Sequence, residues 1–165
     1  MRNRRPIEPE RSAHDRRRDP AAVARSIIDA NLYMVLGTAD EDGRPWVSPV
    51  YYAPASYREF LWVSEPEAKH SRNVATRPEI SVVIFDSQVP INTGQAVYMS
   101  AVAQQLTGPD AEETIDVFSR RGVGHGGREF TLVDVRSPAH LRLYRATASE
   151  QYILDEHDNR VPVSL

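Results

Sequence analysis

Charged and hydroxyl side chains that can bind an anion are concentrated between Ser64 and Asn73, in the segment SEPEAKHSRN. Lys69, Arg72 and Asn73 are spaced i, i+3 and i+4, so a helix would place all three on one face. Ser64 and Ser71 add hydroxyl groups. A helix N-terminus that carries Lys and Arg can bind a phosphate group. The same spacing is also typical of an ordinary solvated face, and the residues alone leave both interpretations open.

A second candidate is the segment GRPWVSPVY, which begins at Gly43. Its pattern predicts a strand that carries Trp46, the hydroxyl of Ser48, and Pro49, which lacks a backbone N–H and therefore marks a sheet edge or a bulge. Such a strand offers a flat wall and backbone hydrogen bonds to an aromatic ring. The alternative is a Trp and a Tyr that belong to the core of a barrel.

A polar loop that contains a glycine, QVPINTG, precedes a long predicted strand. Asn92, Thr93 and Gln95 are therefore expected at the rim of the sheet. Ligand contacts concentrate in such loops because a rigid scaffold positions them. A plain connection between two strands explains the segment equally well.

Several other patterns indicate no chemistry. The segment RGVGHGGR at residues 121–128 follows a predicted helix instead of a strand, so we interpret it as a flexible turn and not as a dinucleotide-binding loop. The sequence has no Cys, which excludes disulfides, a thiolate nucleophile and Cys-ligated metal sites. No metal site is expected either, because metal-ligand spacing is absent from the histidines, which are His14, His70, His125, His140 and His157.

Length and composition favour one domain with its own core, since the chain has 165 residues, of which 41% are hydrophobic. No apolar run approaches the roughly 20 residues that span a bilayer, and the N-terminus lacks the apolar stretch of a secretory signal. We therefore expect a cytoplasmic protein without a membrane partner. Residues 1–20 hold seven Arg and four acidic residues without apolar periodicity, so we predict a disordered tail there and a single domain at residues 21–165.

Hydrophobic periodicity predicts a mainly β chain with three short helices. Asp19 is expected to cap a first helix that runs from Pro20 to Ala30. Ser64 is expected to open a second helix with capping-box spacing, which ends near Thr76. The third helix and the strands are predicted at residues 111–120 and at 32–36, 46–52, 60–63, 80–85, 95–106, 141–144 and 152–154. This pattern favours a small antiparallel barrel, because closure removes exposed sheet edges.

Three stretches, taken in order, resemble the pyridoxamine 5′-phosphate oxidase-like flavin-binding split-barrel family, and in particular its actinobacterial flavin and deazaflavin oxidoreductase branches. The stretches are LYMVLGTADEDGRPWVSPVYY, FLWVSEPEAKHSRNVATRPEISVVIFDS and VPINTGQAVYMSAVAQQL. The resemblance spans roughly residues 24–106 and implies a six-stranded antiparallel split barrel. It also implies a homodimer with two cofactor sites at the interface between the subunits.

The resemblance further implies which residues bind the cofactor FMN. The strand segment expected along the isoalloxazine ring comprises Trp46, Val47, Ser48, Pro49 and Val50. The segment expected at the ribityl phosphate comprises Ser64, Lys69, Ser71 and Arg72, with the two cations in ion pairs. The other subunit is expected to contribute the third group, Gln95 and Val97.

We therefore expect an FMN-dependent oxidoreductase that transfers hydride through N5 of the flavin to or from a small-molecule substrate. A cofactor that supplies the redox chemistry needs no nucleophile from the protein. The proton donor stays open among Tyr51, Tyr52, Tyr98 and His70. True members that oxidise pyridoxamine phosphate end in a Trp- and Arg-rich segment, and this chain has no Trp after Trp62, which argues against vitamin B6 as the substrate.

Three alternatives remain open at this stage. The deazaflavin F420 has a longer, polyanionic tail, for which the basic residues of the N-terminal arm are suited. A non-catalytic flavin-binding or flavin-storage protein is the second alternative. A nucleic-acid partner is the third, but the acidic body of the chain disfavours it. Such binding would depend steeply on salt and would be lost without residues 1–20.

Overall fold

The computed structural model describes residues 19–155 and 157–165. The predicted disordered tail lies outside the described residues, apart from its last two. Within the described part there are three α-helices, α1 Pro20–Ala30, α2 Lys69–Thr76 and α3 Gly108–Gly124. The strands are β1 Tyr33–Ala39, β2 Pro45–Tyr51, β3 Ala53–Pro54, β4 Glu59–Ser64, β5 Glu79–Phe85, β6 Ala96–Gln105, β7 Arg142–Leu154 and β8 Arg160–Pro162. A 3-10 helix covers Leu132–Asp134.

The strands form one curled antiparallel sheet, in the order β2-β1-β5-β6-β7-β4-β3, with β8 paired to β7. Since β3 and β8 have only two and three residues, six long strands build the sheet, and the predicted mainly β, six-stranded architecture is confirmed. Within the described residues β2 pairs with β1 alone. This strand is therefore a sheet edge, as the proline at position 49 predicts.

The first helix begins where the sequence places it. The carboxylate of Asp19 accepts the N–H of Ala21 at 3.2 Å, and Pro20 occupies the first turn. Ala24 and Ile28 on its apolar face are fully buried inside the sheet. Helix α1 thus covers one opening of the curled sheet.

Alternation along the strands divides the apolar residues between two cores. Inward-facing side chains such as Trp62 and Tyr144 fill the interior of the curled sheet, where their rings stack at 5.3 Å. Leu61 and Leu143 point outward and pack beneath Phe118 of α3 in a second cluster. Helix α3 therefore covers the outer face of β4 and β7.

The outer face of β1, β5 and β6 is not covered by any helix of the described chain. Exposed apolar side chains line this uncovered outer face, among them Val47, Phe85 and Val102. A groove of about 260 Å³ crosses it, lined in part by Val35, Val47 and Tyr98. An apolar sheet face left open to water is typical of an interaction surface.

The predicted start of the second helix is wrong, whereas its predicted end near Thr76 is confirmed. Helix α2 begins at Lys69 and not at Ser64, because Ser64 is still paired with Arg142 in the β4–β7 ladder. A turn occupies the intervening residues, and Pro66 within it disfavours helical backbone at Glu65. Ser64 is consequently not a helix cap.

The C-terminal part also differs from the predicted elements. The two predicted closing strands are one continuous strand, β7, because residues 145–151 keep pairing with β6 across a bulge. Helix α3 extends to Gly124, so half of the predicted glycine-rich turn is helical.

In the described part of the chain, no helix is long and apolar enough to cross a membrane.

Candidate functional site

The imidazole of His70 bridges two strands that share no ladder in the described sheet. Its Nδ1 lies 3.1 Å from the Oγ of Ser48 on β2, and its Nε2 lies 2.7 Å from the Oγ of Ser64 on β4. The indole N–H of Trp46 donates to the same Ser48 oxygen at 3.0 Å. The four side chains form a continuous polar bridge across the split between β2 and β4, which we call the split bridge.

Burial determines the charge of this bridge. Removal from water lowers the pKa of His70 below its ordinary value of 6.5, because burial disfavours the charged form. The imidazole is therefore neutral at physiological pH, with one nitrogen as donor and the other as acceptor. Both nitrogens are already occupied by serine hydroxyls.

Lys69 begins α2 beside this bridge and already has a carboxylate partner. Its Nζ lies 3.1 Å from the Oδ2 of Asp40, in the turn between β1 and β2. The backbone N–H of Arg44 and the ammonium of Lys69 hold the pKa of Asp40 below its ordinary value. The pair is partly exposed, so Lys69 stays accessible to a ligand at the same place.

The polar face predicted for α2 is divided between different environments. Arg72 is exposed and donates to the backbone carbonyl of Glu67 at 2.8 Å. Asn73 is buried, and its amide donates to the hydroxyl of Thr38 at 2.9 Å. Asn73 is thus a structural residue that ties α2 to β1. Of the three side chains predicted to share a face, Lys69 is the one beside the split bridge.

Ser71 lies on another side of α2. Its hydroxyl is buried and lines a groove together with Tyr144 and Gln104. The structure therefore does not bring the Ser71 side chain to the split bridge. The backbone N–H of Ser71, in contrast, belongs to the first turn of α2. This turn follows Ala68, whose side chain cannot accept a hydrogen bond as a cap. The amides of Lys69, His70 and Ser71 have no acceptor within the helix.

The edge of β2 presents few backbone donors. The bond from the Asp40 N–H to the Arg44 carbonyl and the register of β1 with β2 put even-numbered residues of β2 in hydrogen-bonded pairs with β1. Odd-numbered residues direct their backbone groups toward the split. Pro45 and Pro49 have no N–H to offer there, so Val47 provides a donor between two positions that lack one.

Side-chain alternation also separates the residues predicted along an aromatic ring. Trp46 and Ser48 face the split bridge, while Val47 and Pro49 face the uncovered outer face and are exposed. Val50 is buried in the core. A planar ligand could therefore contact the exposed residues and the strand edge, but not the side chain of Val50.

The residues predicted to act from a second subunit lie on β6 and its approach. Gln95 is exposed and lines a second groove with Phe85 and Tyr98. Val97 is fully buried in the core and pairs with Ile84. Gln95 therefore lies at the surface of the described chain, whereas the side chain of Val97 points into the core.

The candidate proton donors fall in unlike surroundings. Tyr52 is buried and donates to the carbonyl of Ile28 at 2.6 Å, and burial raises its pKa. Burial also raises the pKa of Tyr51. Tyr98 lies on the outer face beneath the guanidinium of Arg160, at 4.6 Å. In the described part of the chain, no group of three or more His, Asp or Glu residues is placed to hold a metal ion.

The family model described as pyridoxamine 5′-phosphate oxidase matches residues 21–150. The chain belongs to this family. The resemblance drawn from the three sequence stretches is thereby confirmed. A comparison with curated proteins found no match.

Solved structures similar to this pyridoxamine 5′-phosphate oxidase family member include a haem-binding protein from Mycobacterium smegmatis, with a TM-score of 0.72 and 17% identity over 90% of this chain. The chain spans 59% of that protein's length. The haem storage protein HutZ from Vibrio cholerae gives 0.62 and 20%, covering 80% of this chain and 91% of the other. An FAD-binding protein from Mesorhizobium loti gives 0.63 and 18%, covering 81% and 90%. At these identities, the similarity establishes the split-barrel fold alone.

Proposed function

We propose that the protein binds FMN and acts as an oxidoreductase on a small-molecule substrate. The observation that carries the proposal is the convergence of phosphate-binding groups beside an exposed strand edge. Lys69 directly precedes His70 of the split bridge, Ser64 belongs to that bridge, and the first-turn amides of α2 have no acceptor within the helix. Family membership supports the same conclusion.

The chemistry of these donors fits a phosphate group. An ammonium, a hydroxyl and backbone amides at a helix N-terminus together supply the charge and the hydrogen bonds that a phosphate needs. The neutral imidazole of His70 adds no charge to the site. Arg72 is exposed and lies one helical turn after Lys69 on α2. Asp40 opposes binding, because its carboxylate competes for Lys69.

The edge of β2 fits one side of a flat ring. The exposed Val47 and Pro49 offer apolar contact, and the N–H of Val47 is a donor toward the split. FMN, when bound, supplies hydride transfer at its N5. The work of the chain's own residues is then to anchor the phosphate, orient the ring and exclude water from one of its faces.

A homodimer is part of the proposal. The outer face of β1, β5 and β6 carries exposed apolar side chains and is uncovered within the described chain, and its groove is lined in part by Val47 on the edge strand. A second copy seated there would cover the apolar side chains. It would also bring a second surface close to the strand edge that we assign to the ring.

The test is the absorption spectrum of the purified full-length protein, followed by mass analysis of any released chromophore. The two-band spectrum of an oxidised flavin together with the mass of FMN supports the proposal. A protein without a chromophore is titrated with FMN, and failure to bind it rejects the proposal. Turnover with a reductant and an acceptor separates an enzyme from a flavin-storage protein.

Two other chromophores are distinguishable in the same experiment. The single absorption band and the mass of F420 would assign the site to a deazaflavin. A Soret band would indicate haem, which is worth testing because two structural neighbours are a haem-binding protein and a haem storage protein. His70 is poorly suited to ligate haem iron, because both of its nitrogens are bonded to serines. Haem binding would therefore need an axial ligand outside the split bridge.

A further inference from the structure

We infer that Asp40 is a specificity-determining residue: its carboxylate weakens the binding of a doubly charged phosphate monoester more than that of a singly charged phosphate that is linked on two sides. FMN carries a monoester, whereas the phosphates of FAD and F420 are linked on two sides. The position of the phosphate beside Lys69 rests on the proposed function. The role of Asp40 in the choice among these cofactors goes beyond it.

The carboxylate of Asp40 is fixed in the turn between β1 and β2. Its Oδ1 accepts the backbone N–H groups of Asp42 at 3.1 Å and of Arg44 at 2.9 Å, and its Oδ2 lies 3.1 Å from the Nζ of Lys69. Gly43 completes the turn with a φ of 82°, a left-handed conformation that favours glycine. The carboxylate therefore cannot move away from an anion at Lys69 without breaking its two backbone bonds.

Neighbouring cations do little to offset this carboxylate. Arg44 lies 4.0 Å from Asp40, but its side chain is 73% exposed and is shared with a second carboxylate. On α2, Arg72 lies 3.9 Å from Glu67, and both side chains are exposed. Solvent and salt screen such exposed charges, whereas the side chain of Asp40 is only 17% exposed. An anion at Lys69 therefore meets a cation whose charge is largely offset by a carboxylate in direct contact with it.

The repulsion from a fixed charge is proportional to the charge of the ligand. A phosphate monoester has a second pKa of about 6 and carries nearly two negative charges at neutral pH, while a phosphate linked on two sides carries one. At the same position, Asp40 therefore costs the monoester about twice as much free energy. Attraction to Lys69 and to the N-terminus of α2 also grows with ligand charge, so Asp40 reduces the preference for the monoester that these groups produce.

The surroundings of Lys69 leave room for a phosphate with a second substituent. The side chain of Lys69 is 37% exposed and that of Arg72 is 57% exposed. The far side of a phosphate bound between them would therefore open to water. Charge and not space is consequently the property by which this site distinguishes the two kinds of phosphate.

Three flavins with the same ring system vary the charge at the phosphate position. Riboflavin has none, riboflavin 4′,5′-cyclic phosphate has a single charge, and FMN has nearly two at about pH 7.5. Their affinities are measured at low salt by fluorescence titration of the ligand-free, full-length protein. We expect Asp40→Asn to tighten FMN binding a few-fold, the cyclic phosphate by about the square root of that factor, and riboflavin not at all. The ratio of FMN affinity to cyclic phosphate affinity should therefore rise in Asp40→Asn.

This ratio isolates charge, because the amide N–H introduced by Asp40→Asn can bond an oxygen of either phosphate. Asp42→Asn is the matched control, since it makes the same change in the same turn. The Asp42 carboxylate is 60% exposed and pairs with Arg44, so its removal should change the ratio less. A ratio that is unchanged or lower in Asp40→Asn would overturn the inference, as would an equal rise in Asp42→Asn.

Failure of this inference is distinguishable from failure of the proposed function. If the wild type binds neither FMN nor the cyclic phosphate, the proposed function is rejected, and the role of Asp40 is rejected with it. If the wild type binds FMN more tightly than riboflavin and Asp40→Asn leaves the ratio unchanged, the role of Asp40 is rejected and the flavin assignment stands.

Discussion

The Nζ of Lys69 lies 3.1 Å from the Oδ2 of Asp40, and this contact ties the first turn of α2 to the turn between β1 and β2. The same carboxylate also receives the backbone N–H of Arg44 at 2.9 Å through its other oxygen. Asp40 is therefore ionised at neutral pH and held in place before any ligand arrives. A ligand phosphate must share Lys69 with it.

Substitutions on the two sides of this pair should change FMN affinity in opposite directions. Lys69→Met should weaken FMN binding about tenfold, because a charge-assisted hydrogen bond to phosphate is lost. Asp40→Asn should tighten it a few-fold, since the amide oxygen still accepts from Arg44 while the competing charge disappears. Titration calorimetry with FMN measures both, and riboflavin, which lacks the phosphate, should respond little to either change. Equal losses of affinity for FMN and riboflavin would show that Lys69 does not bind the phosphate.

Arg72 provides a graded comparison at the same site. Its side chain is 57% exposed and interacts with Glu67, so Arg72→Ala should weaken FMN binding less than Lys69→Met. Salt screens exposed charges more than partly buried ones. The Arg72 effect should accordingly shrink when FMN affinity is measured at high salt. A loss in Arg72→Ala that exceeds the loss in Lys69→Met would reverse the assignment of the principal cation.

The split bridge should also contribute to stability. His70→Ala removes two hydrogen bonds and leaves the hydroxyls of Ser48 and Ser64 without their common partner, so the free energy of unfolding should fall by about 1–3 kcal/mol. Urea denaturation of the ligand-free protein measures the change. His140→Ala is a matched control, because that imidazole is 77% exposed and lies 4.0 Å from Glu65. Similar losses in both variants would show that the bridge does not stabilise the closed split.

Local pattern predicts much of this fold, and pairs distant in sequence account for what it misses. Helix α1 follows from Asp19, Pro20 and one apolar stripe, all within a few residues of each other. The Lys69–Asp40 and His70–Ser48 contacts join residues 29 and 22 positions apart. Periodicity identifies a strand or a helix, but it carries no information about which turn or edge comes to lie against it.

The same limit explains the individual errors at the site. The spacing of Lys69, Arg72 and Asn73 correctly predicts helical neighbours, yet Asn73 is buried because Thr38 on β1 supplies a partner for its amide. Capping-box spacing at Ser64 is overridden by the β4–β7 ladder, which still holds that residue. His70 appears in the sequence as one candidate proton donor among several. Its two serine partners become visible only once β2 and β4 face each other.

Stability should depend on pH through His70 in a definite direction. The pKa of His70 in the folded protein lies below 6.5, whereas in the unfolded chain it takes its ordinary value. Below about pH 6.5 the unfolded state therefore binds a proton that the folded state resists, so the free energy of unfolding falls as the pH drops through this window. Above it the contribution is fully present and constant.

The measurement is a series of urea denaturation curves from about pH 5 to about pH 7.5, for wild type and His70→Gln. The two proteins differ only at position 70, so the difference between their curves isolates the contribution of that residue. We expect the wild type to lose stability more steeply than His70→Gln as the pH falls. Parallel curves would mean that His70 titrates alike in the folded and unfolded states.

A charge on the uncovered outer face should disrupt the proposed homodimer. Val102 on β6 is 50% exposed and lies opposite Glu79 on β5, so Val102→Arg gains a neighbouring carboxylate within the monomer while it places a charge in the interface. Sedimentation equilibrium should show a dimer for wild type and a larger monomer fraction for Val102→Arg. Val133→Arg is the control, because that valine is 62% exposed on the 3-10 helix, outside this face. A wild-type monomer would contradict the homodimer, whereas an unaffected Val102→Arg dimer would place the interface elsewhere.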